Sequence, residues 1–298
     1  MALREPESHV PLPSAREEAL REPPRPDTPQ TRSPSYRLAF TDIDFLLREE
    51  LRPVRLQLEL LKPELELQRH GIESTIVVFG SARIVEPAEA RRRRLEAEAE
   101  ARARPDDAAA ARRLAIATRL EQLSRHYEEA RRFAALVSRE SHDGERHRYV
   151  IVTGGGPGIM EAANRGASEA GAPTIGHNIV LPQEQAPNAW VTPELCFRFH
   201  YFALRKMHLL TRARALVVFP GGYGTLDELF ETLCLIQTKK ARSMPVLLFD
   251  ENYWRSIVDF EAMVEQGVID DHDLAIFRFV ETAEQAWQVI REHYAPRE

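Results

Sequence analysis

The chain of 298 residues is poor in features on which several protein classes depend. It has two cysteines, Cys196 and Cys234, and no CxxC pair, which argues against a disulfide scaffold or a cysteine zinc site and favours a reducing compartment. No apolar run approaches the roughly 18 residues that span a membrane, and the first residues lack an apolar signal region. We therefore expect a cytoplasmic protein without a membrane partner.

Positive charge is not in excess either. Lysine and arginine number 40 against 46 aspartates and glutamates, so the net charge is -6, whereas proteins that bind nucleic acid usually carry surplus positive charge. We therefore expect no nucleic-acid partner. The four arginines at 91–94 could form a local nucleic-acid patch, but neighbouring glutamates favour a solvated helix face. An apolar content of 43% is typical of a soluble globular protein with a sizeable core.

The chain changes character along its length. Residues 1–36 hold eight prolines and little apolar surface, which predicts a disordered tail. Apolar residues, mostly leucines, recur at helical spacing in 41–69, but Pro53 and Pro63 interrupt them. We therefore expect an N-terminal helical extension over 37–72 that consists of two or three short helices. The remaining residues, 73–298, form the predicted main domain.

Within 73–298, short apolar runs alternate with amphipathic stretches. This alternation predicts an α/β, Rossmann-like domain: a parallel sheet with helices on both faces and ligands at the carboxyl ends of the strands. Residues 85–112, rich in Arg, Glu and Ala, are predicted to be a charged helical insertion. The predicted strands are 75–79, 149–152, 174–181, 215–219, 245–249 and 277–280, and the predicted helices 113–139, 159–170, 199–212, 225–238, 253–266 and 283–294.

Two glycine-rich loops follow predicted strands. The first, 153–158 (TGGGPG), could bind an anion at the start of the following helix. Its spacing fails the dinucleotide fingerprint, and no Gly-Lys-Ser/Thr follows as in a Walker loop. A tight turn without a ligand is the alternative.

The second loop, 220–228 (PGGYGTLDE), is predicted to cradle phosphate with its backbone amides and the helix dipole. Thr225 and Glu228 fit a Thr-x-x-Glu capping box, so Glu228 either caps its own helix or takes part in catalysis. One helix earlier, Arg205 and Lys206 are either surface cations or ligands of an anionic substrate.

The order of these features resembles the Lonely Guy family of cytokinin riboside 5′-monophosphate phosphoribohydrolases, often mislabelled as lysine decarboxylases. Its hallmark is an Arg-Lys pair followed by Pro-Gly-Gly-x-Gly-Thr-x-x-Glu, matched here by Arg205-Lys206 and 220–228. The first loop with Met160 and Glu161 is similar to the family's first glycine loop.

Further segments extend this resemblance over about 73–265. Residues 79–81 (FGS) are similar to the family's first strand exit, and 181–185 (LPQEQ) with Asn188 to a segment of the longer bacterial members. Cys234 falls near a position where plant members often have Thr, so the resemblance leaves an ordinary nucleotide such as AMP open beside a cytokinin nucleotide as substrate.

The resemblance implies a nucleosidase that hydrolyses the N-glycosidic bond of a nucleoside 5′-monophosphate to free base and ribose 5-phosphate, without a cofactor or metal. It implies Arg205 and Glu228 as catalytic residues. The implied substrate-binding residues are Ser81, Gly154, Gly155, Gly156, Met160, Glu161, Glu184, Lys206, Gly221, Gly222, Tyr223, Gly224 and Thr225.

Two other functions are compatible with the predicted fold, and an oligomer is expected. The same fold serves non-catalytic nucleotide or molybdenum-cofactor binding proteins. A pyridoxal-phosphate decarboxylase would need Lys206 as its Schiff-base lysine. The apolar stretch 197–210 offers more apolar surface than one sheet face covers, and the resemblance implies a homodimer or higher homo-oligomer.

Overall fold

A computed structural model describes residues 14–20, 26–143, 146–182 and 186–295. The chain forms two compact units, Met1–Arg55 and Leu56–Glu298. Part of the predicted disordered tail, residues 1–13 and 21–25, lies outside the described residues.

The first unit consists of short helical segments. Where its side chains are described, only Asp42 is buried. Asp42 caps a helix by accepting a hydrogen bond from the N–H of Phe45. The segments are α1 (Ala15–Leu20), α2 (Pro29–Arg32), α3 (Ile43–Leu46), the 3₁₀ turns Pro34–Tyr36 and Glu49–Leu51, and the start of α4 (Arg52–Arg69).

The second unit is built on a seven-stranded parallel sheet in the order β6-β5-β4-β1-β7-β8-β9. The strands are β1 (Thr75–Phe79), β4 (Val150–Thr153), β5 (Thr174–Ile179), β6 (Cys196–Phe199), β7 (Ala213–Val218), β8 (Val246–Phe249) and β9 (Phe277–Val280), while β2 (His142–Asp143) and β3 (Arg146–His147) form a separate antiparallel pair. The helices are α5 (Pro87–Ala103), α6 (Ala108–Leu123), α7 (Arg125–Ser141), α8 (Ile159–Glu169), α9 (Phe202–Thr211), α10 (Tyr223–Gln237), α11 (Glu251–Ile257), α12 (Phe260–Glu265) and α13 (Ala283–Tyr294).

The central strands are mostly apolar because both faces of the sheet are covered. On one face, Ile76 and Val217 pack in a cluster with Phe133 of α7 and Trp287 of α13. On the other face, Val77 and its neighbours pack with residues such as Leu209, Leu229 and Trp254 from α9, α10 and α11. The predicted α/β fold with helices on both faces is confirmed.

Several predicted boundaries are wrong. Pro63 does not end a helix: it is buried inside the continuous α4, because packing of this face outweighs the lost backbone hydrogen bond. The helix predicted at 113–139 is two helices that meet at Ser124, and 253–266 is likewise two. Phe199 belongs to strand β6, and the helix predicted from there begins at Phe202.

The charged insertion consists of α5 and the first part of α6. Its arginines pair with glutamates of the same hairpin: Arg92 and Arg93 contact Glu89, and Arg113 contacts Glu100 with 2.8 Å between Nη2 and Oε1. These pairs support the solvated-helix interpretation of 91–94. Within the described residues, no helix is both long and apolar enough to cross a membrane.

Candidate active site

The second glycine loop joins the end of β7 to α10. Gly222 is the N-terminal cap of α10, and Tyr223 is its first residue. Within the described part of the chain, the backbone N–H groups of residues 221–224 donate no hydrogen bond. These unpaired amides lie at the positive end of the helix dipole, so the loop has the geometry of an anion cradle.

Because α10 begins at Tyr223, Thr225 and Glu228 lie inside the helix. The capping-box interpretation of Glu228 is therefore wrong: the cap residue is Gly222, which has no side chain to accept a bond. Thr225 is buried under the loop, and a Cβ on Gly221 would lie 2.1 Å from its Oγ1, so only glycine fits at position 221.

Glu228 is a buried carboxylate. The residue is 4% exposed, and no described side chain lies within hydrogen-bonding or ion-pairing distance of its carboxyl group. Burial raises its pKa to about 7, although the positive charges of Arg205 and Lys206 oppose this shift. A carboxylate in this state can accept a proton near neutral pH or stabilise a cation that forms beside it.

Arg205 is the buried cation of the candidate site. It is 9% exposed, and its Nε donates a hydrogen bond to the carbonyl of His177 over 2.9 Å. Its guanidinium lies 5.9 Å from the ring centres of Phe79 and Phe202. A Cβ on Gly154 would lie 2.9 Å from Arg205 Nη2, so the guanidinium packs directly on the first glycine loop.

The start of α9, which carries Arg205, is anchored from α4. Both carboxylate oxygens of Glu59 accept backbone hydrogen bonds, from the N–H of His200 over 2.9 Å and of Tyr201 over 3.1 Å. Tyr201 is the N-terminal cap of α9 and makes no side-chain cap bond itself. Glu59 is not among the residues predicted from the sequence, since nothing in the local pattern of α4 indicates a cap for a helix about 140 residues away.

Lys206 is tied to α10. Its Nζ lies 2.9 Å from Asp227 Oδ1 and 2.9 Å from Glu231 Oε2. Burial works to lower the pKa of Lys206, but the hydrogen bonds to Glu231 and Asp227 outweigh it and raise the pKa. A Schiff-base lysine needs a neutral amine, so this environment opposes the decarboxylase alternative.

The first glycine loop is held by backbone and amide contacts. Gly155 has φ of 70°, and a Cβ there would lie 2.0 Å from Asn178 Oδ1, so this position requires glycine. Asn188 donates its N–H to the carbonyl of Gly155 and its Nδ2 to that of Gly156. The side chain of Met160 packs on Gly154 and Gly156.

The remaining predicted site residues differ in how they relate to the two glycine loops. Ser81 joins the loops, because its N–H donates to the carbonyl of Pro220 over 2.9 Å. Glu161 accepts a hydrogen bond from the hydroxyl of Tyr127 over 3.3 Å. The side chain of Tyr223 is 92% exposed, so Tyr223 offers the cradle its amide. Glu184 lies outside the described residues.

A cleft of about 560 Å³ opens beside the second loop. Tyr253, which follows β8, faces it and donates its hydroxyl to the carbonyl of Gly221 over 2.7 Å. Tyr253 is not among the site residues predicted from the sequence, although its place shortly after the end of a strand is a signal for this edge of the sheet. The cleft is lined by Ser81, Arg83, Ile84, Leu120, Leu123, Pro220, Gly221, Gly222, Tyr223, Leu226, Tyr253 and Ile257.

Side chains that could bind a metal ion do not coincide with the predicted site residues. Among the described residues, one group has ligand atoms close enough together for an ion, namely Asp270, His272 and Asp273. Asp273 already accepts hydrogen bonds from the N–H of Asp270 and from Gln237. None of the three is among the predicted site residues.

Comparison with known proteins agrees with the motifs. A family model described as possible lysine decarboxylase matches residues 160–290, which include Arg205 and the second glycine loop. A cytokinin riboside 5′-monophosphate phosphoribohydrolase of Arabidopsis thaliana is 28% identical over 158 residues, 51% of this chain and 70% of the relative. A probable enzyme of the same description from Oryza sativa subsp. japonica is 27% identical over 142 residues, 47% of this chain and 60% of the relative. The resemblance to the Lonely Guy family is confirmed.

Solved structures also resemble the chain. A molybdenum cofactor binding protein from the phototrophic bacterium Rippkaea orientalis aligns over 56% of this chain and 87% of its own, with 19% identity and a TM-score of 0.41. A structural genomics target aligns over 74% of this chain and 99% of its own, with 19% identity and a TM-score of 0.43.

Proposed function

We propose that the chain is a nucleoside 5′-monophosphate phosphoribohydrolase, which releases the free base and ribose 5-phosphate from AMP or a cytokinin nucleotide. The observation that carries the proposal is Glu228, a buried carboxylate near Arg205 that has no hydrogen-bond or ion-pair partner among the described residues. It lies in α10, about one helical turn after the loop whose backbone N–H groups donate no hydrogen bond to a described residue. The names of the plant relatives, which are phosphoribohydrolases of cytokinin riboside 5′-monophosphates, support the same reaction.

In the proposed reaction, the 5′-phosphate binds the free amides of 221–224 at the start of α10. The bond between C1′ of the ribose and the base nitrogen breaks, and its electron pair leaves with the base. A water oxygen then bonds to C1′, and the proton that this water loses balances the proton that the nitrogen of the departing base takes up. The ribosyl group carries positive charge in the transition state, which the carboxylate of Glu228 stabilises.

Burial makes Glu228 selective for the transition state. The free site stabilises its ionised form poorly, as its raised pKa shows. A cation that develops beside it supplies the missing counter-charge, so the interaction strengthens as the glycosidic bond breaks. Arg205, held by His177, carries the opposite charge and neutralises substrate phosphate or the charge on the departing base.

The direct test is to incubate the purified protein with AMP and with cytokinin riboside 5′-monophosphates and to measure free base by chromatography. We expect Glu228→Gln and Arg205→Ala each to lower the rate by on the order of 10²–10³-fold. Glu231→Gln is the matched control, because Glu231 lies one turn further along α10 and pairs with Lys206.

Two results would contradict the proposal. If the parent protein binds AMP but releases no base, the chain is a binding protein of the same fold. If Glu228→Gln releases base at the parental rate, the carboxylate has no part in the reaction.

We further propose a cytoplasmic homodimer or larger homo-oligomer. Phe202 and Met207 of α9 support this assembly, because their apolar side chains are 51% and 44% exposed close to Arg205 in the sequence. Light scattering coupled to size-exclusion chromatography measures the mass directly, and a monomer at micromolar concentration contradicts the proposal.

A further inference from the structure

The peptide between Gly221 and Gly222 is held from outside its loop. The carbonyl of Gly221 accepts the hydroxyl of Tyr253, with 2.7 Å between the oxygens. In a planar trans peptide, the carbonyl of one residue and the N–H of the next point in opposite directions. The bond from Tyr253 therefore fixes the direction of the Gly222 N–H, one of the free amides of the cradle.

The loop needs such a restraint because it contains consecutive glycines. A Cβ at Gly222 would meet no atom of the described residues within 4 Å, so packing alone does not fix this peptide. The preceding peptide is held in the same way: Pro220 accepts the N–H of Ser81 over 2.9 Å, which orients the N–H of Gly221. The hydrogen bonds to these two carbonyls thus set the direction of the N–H groups of Gly221 and Gly222.

Tyr253 is itself positioned by Asp250, the N-terminal cap of α11. Asp250 Oδ1 accepts the N–H of Tyr253 over 2.9 Å, and Oδ2 lies 2.9 Å from both His126 Nε2 and Arg125 Nη2. Asp250 is buried and has φ of 72°, a left-handed conformation that non-glycine residues seldom adopt. Its three side-chain contacts hold that conformation and with it the start of α11.

We propose that Tyr253 is a positioning residue for the phosphate cradle, which orients the Gly222 N–H through the Gly221 carbonyl and is itself held by Asp250 and His126. The inference rests on the proposed binding of a phosphate monoester at this loop. It predicts that the Tyr253 hydroxyl contributes to affinity for the phosphate group and not to affinity for the base or sugar.

The ionisation of Tyr253 is compatible with this role. Burial raises the pKa of its phenol, with the hydrogen bond to Gly221 working in the opposite direction. The hydroxyl therefore stays protonated, and able to donate, over the neutral range in which binding is measured.

The experiment compares Tyr253→Phe with the parent protein by isothermal titration calorimetry against AMP, inorganic phosphate and adenosine. We expect AMP and phosphate to bind on the order of 10-fold more weakly, as for one lost hydrogen bond, and adenosine to bind unchanged. Tyr294→Phe is the matched control, because Tyr294 also donates its hydroxyl to a backbone carbonyl, that of Arg214, over 2.8 Å at the start of β7.

Asp250→Gly tests the support of Tyr253. Glycine adopts the positive φ freely but lacks the carboxylate, so AMP binding weakens, and the double variant with Tyr253→Phe binds no worse than Tyr253→Phe alone. Equal AMP affinity of Tyr253→Phe and parent, or an equal loss for adenosine, overturns the inference.

The calorimetry also separates this inference from the proposed function. If the parent binds AMP without releasing base, the hydrolase proposal fails while the phosphate-specific loss in Tyr253→Phe still decides the role of the hydroxyl. If the parent binds neither AMP nor phosphate, the loop is no phosphate cradle and the inference falls with it.

Discussion

At the scale of single residues, Glu228 is the group in which burial and charge oppose each other. An exposed glutamate would be ionised at every physiological pH and would already be well solvated. Removal from water raises the pKa of Glu228 to about 7, so its charge changes in the range where the protein works. Both its activity and its effect on stability should therefore depend on pH.

The rate of base release should rise with pH. The proposed role requires the ionised carboxylate, which predominates above a pKa of about 7, so kcat/KM should increase through that value and level off above it. Initial rates with AMP from about pH 5.5 to about pH 9 provide the measurement. A falling limb centred near this pH would instead make Glu228 the acid that protonates the base.

The stability of the free protein should show the opposite trend. The folded-state pKa of Glu228 lies above its unfolded value of 4.5, so its stabilising contribution is complete below pH 4.5 and is lost as pH rises through about 7. Glu228→Gln removes this loss and should be more stable than the parent by roughly 3 kcal/mol at pH 8, with most of the difference gone by about pH 5. Urea unfolding at the two pH values measures it, and equal stability at pH 8 would show that the carboxylate is well solvated.

At the scale of elements, a buried amide joins the pieces that form the first glycine loop. Asn164 of α8 accepts the hydroxyl of Thr153 over 2.7 Å and Nδ2 of Asn188 over 2.9 Å. It donates its own Nδ2 to Thr174 Oγ1 over 2.6 Å. The end of β4, the start of β5 and the loop that reaches Gly155 and Gly156 are thereby fixed to one helix.

Removal of the Asn164 amide should destabilise the end of β4, the start of β5 and the loop that reaches Gly155 and Gly156 together. Asn164→Ala leaves several buried polar groups unpaired, which we expect to lower the free energy of unfolding by on the order of 3 kcal/mol. Gln288→Ala is the control, because this amide is exposed on α13 and bonds only Glu292 among the described residues. Urea unfolding of both variants provides the test, and a loss below that of the control would show that the network is dispensable.

The elements also show what the sequence could predict. The buried strands were predictable because a strand that is covered on both faces, such as 75–79, is apolar on both faces and therefore appears as a continuous apolar run. Strand β6 was missed because aromatic residues continue past its end into α9 and blur the period. Its own alternation, with Phe197 and Phe199 buried and Arg198 exposed, matches a strand.

The residues of the candidate site could be proposed from the sequence where they form contiguous motifs. The Arg-Lys pair and the loop 220–228 are contiguous motifs, and the structure places Glu228 in a buried position beside the loop. Tyr253 and Glu59 were not predictable in the same way, because they act on backbone atoms of distant segments. A side chain that bonds a backbone atom places no demand on the residue type of its partner, so the sequence of the partner segment carries no sign of the contact.

At the scale of the whole molecule, the hydrophobic core belongs to the second unit. Both core clusters are built from residues between Leu67 and Ile290. Among the side chains described in Met1–Arg55, only Asp42 is buried. Hydrophobic burial, the dominant favourable contribution to folding, is therefore supplied almost entirely by Leu56–Glu298.

A chain shortened to begin at Arg52 should consequently keep its stability and activity. It retains α4 with both core clusters, so we expect its Tm to lie within about 2 °C of the parent's and AMP hydrolysis to persist. A chain that begins at Gly71 is the informative comparison, because it loses Glu59, which caps α9, and Glu64, which pairs with Arg212. That chain should unfold at a lower temperature and release base more slowly, since α9 carries Arg205. Equal behaviour of the two shortened chains in calorimetry and in the base-release assay would show that α4 has no part in holding the site.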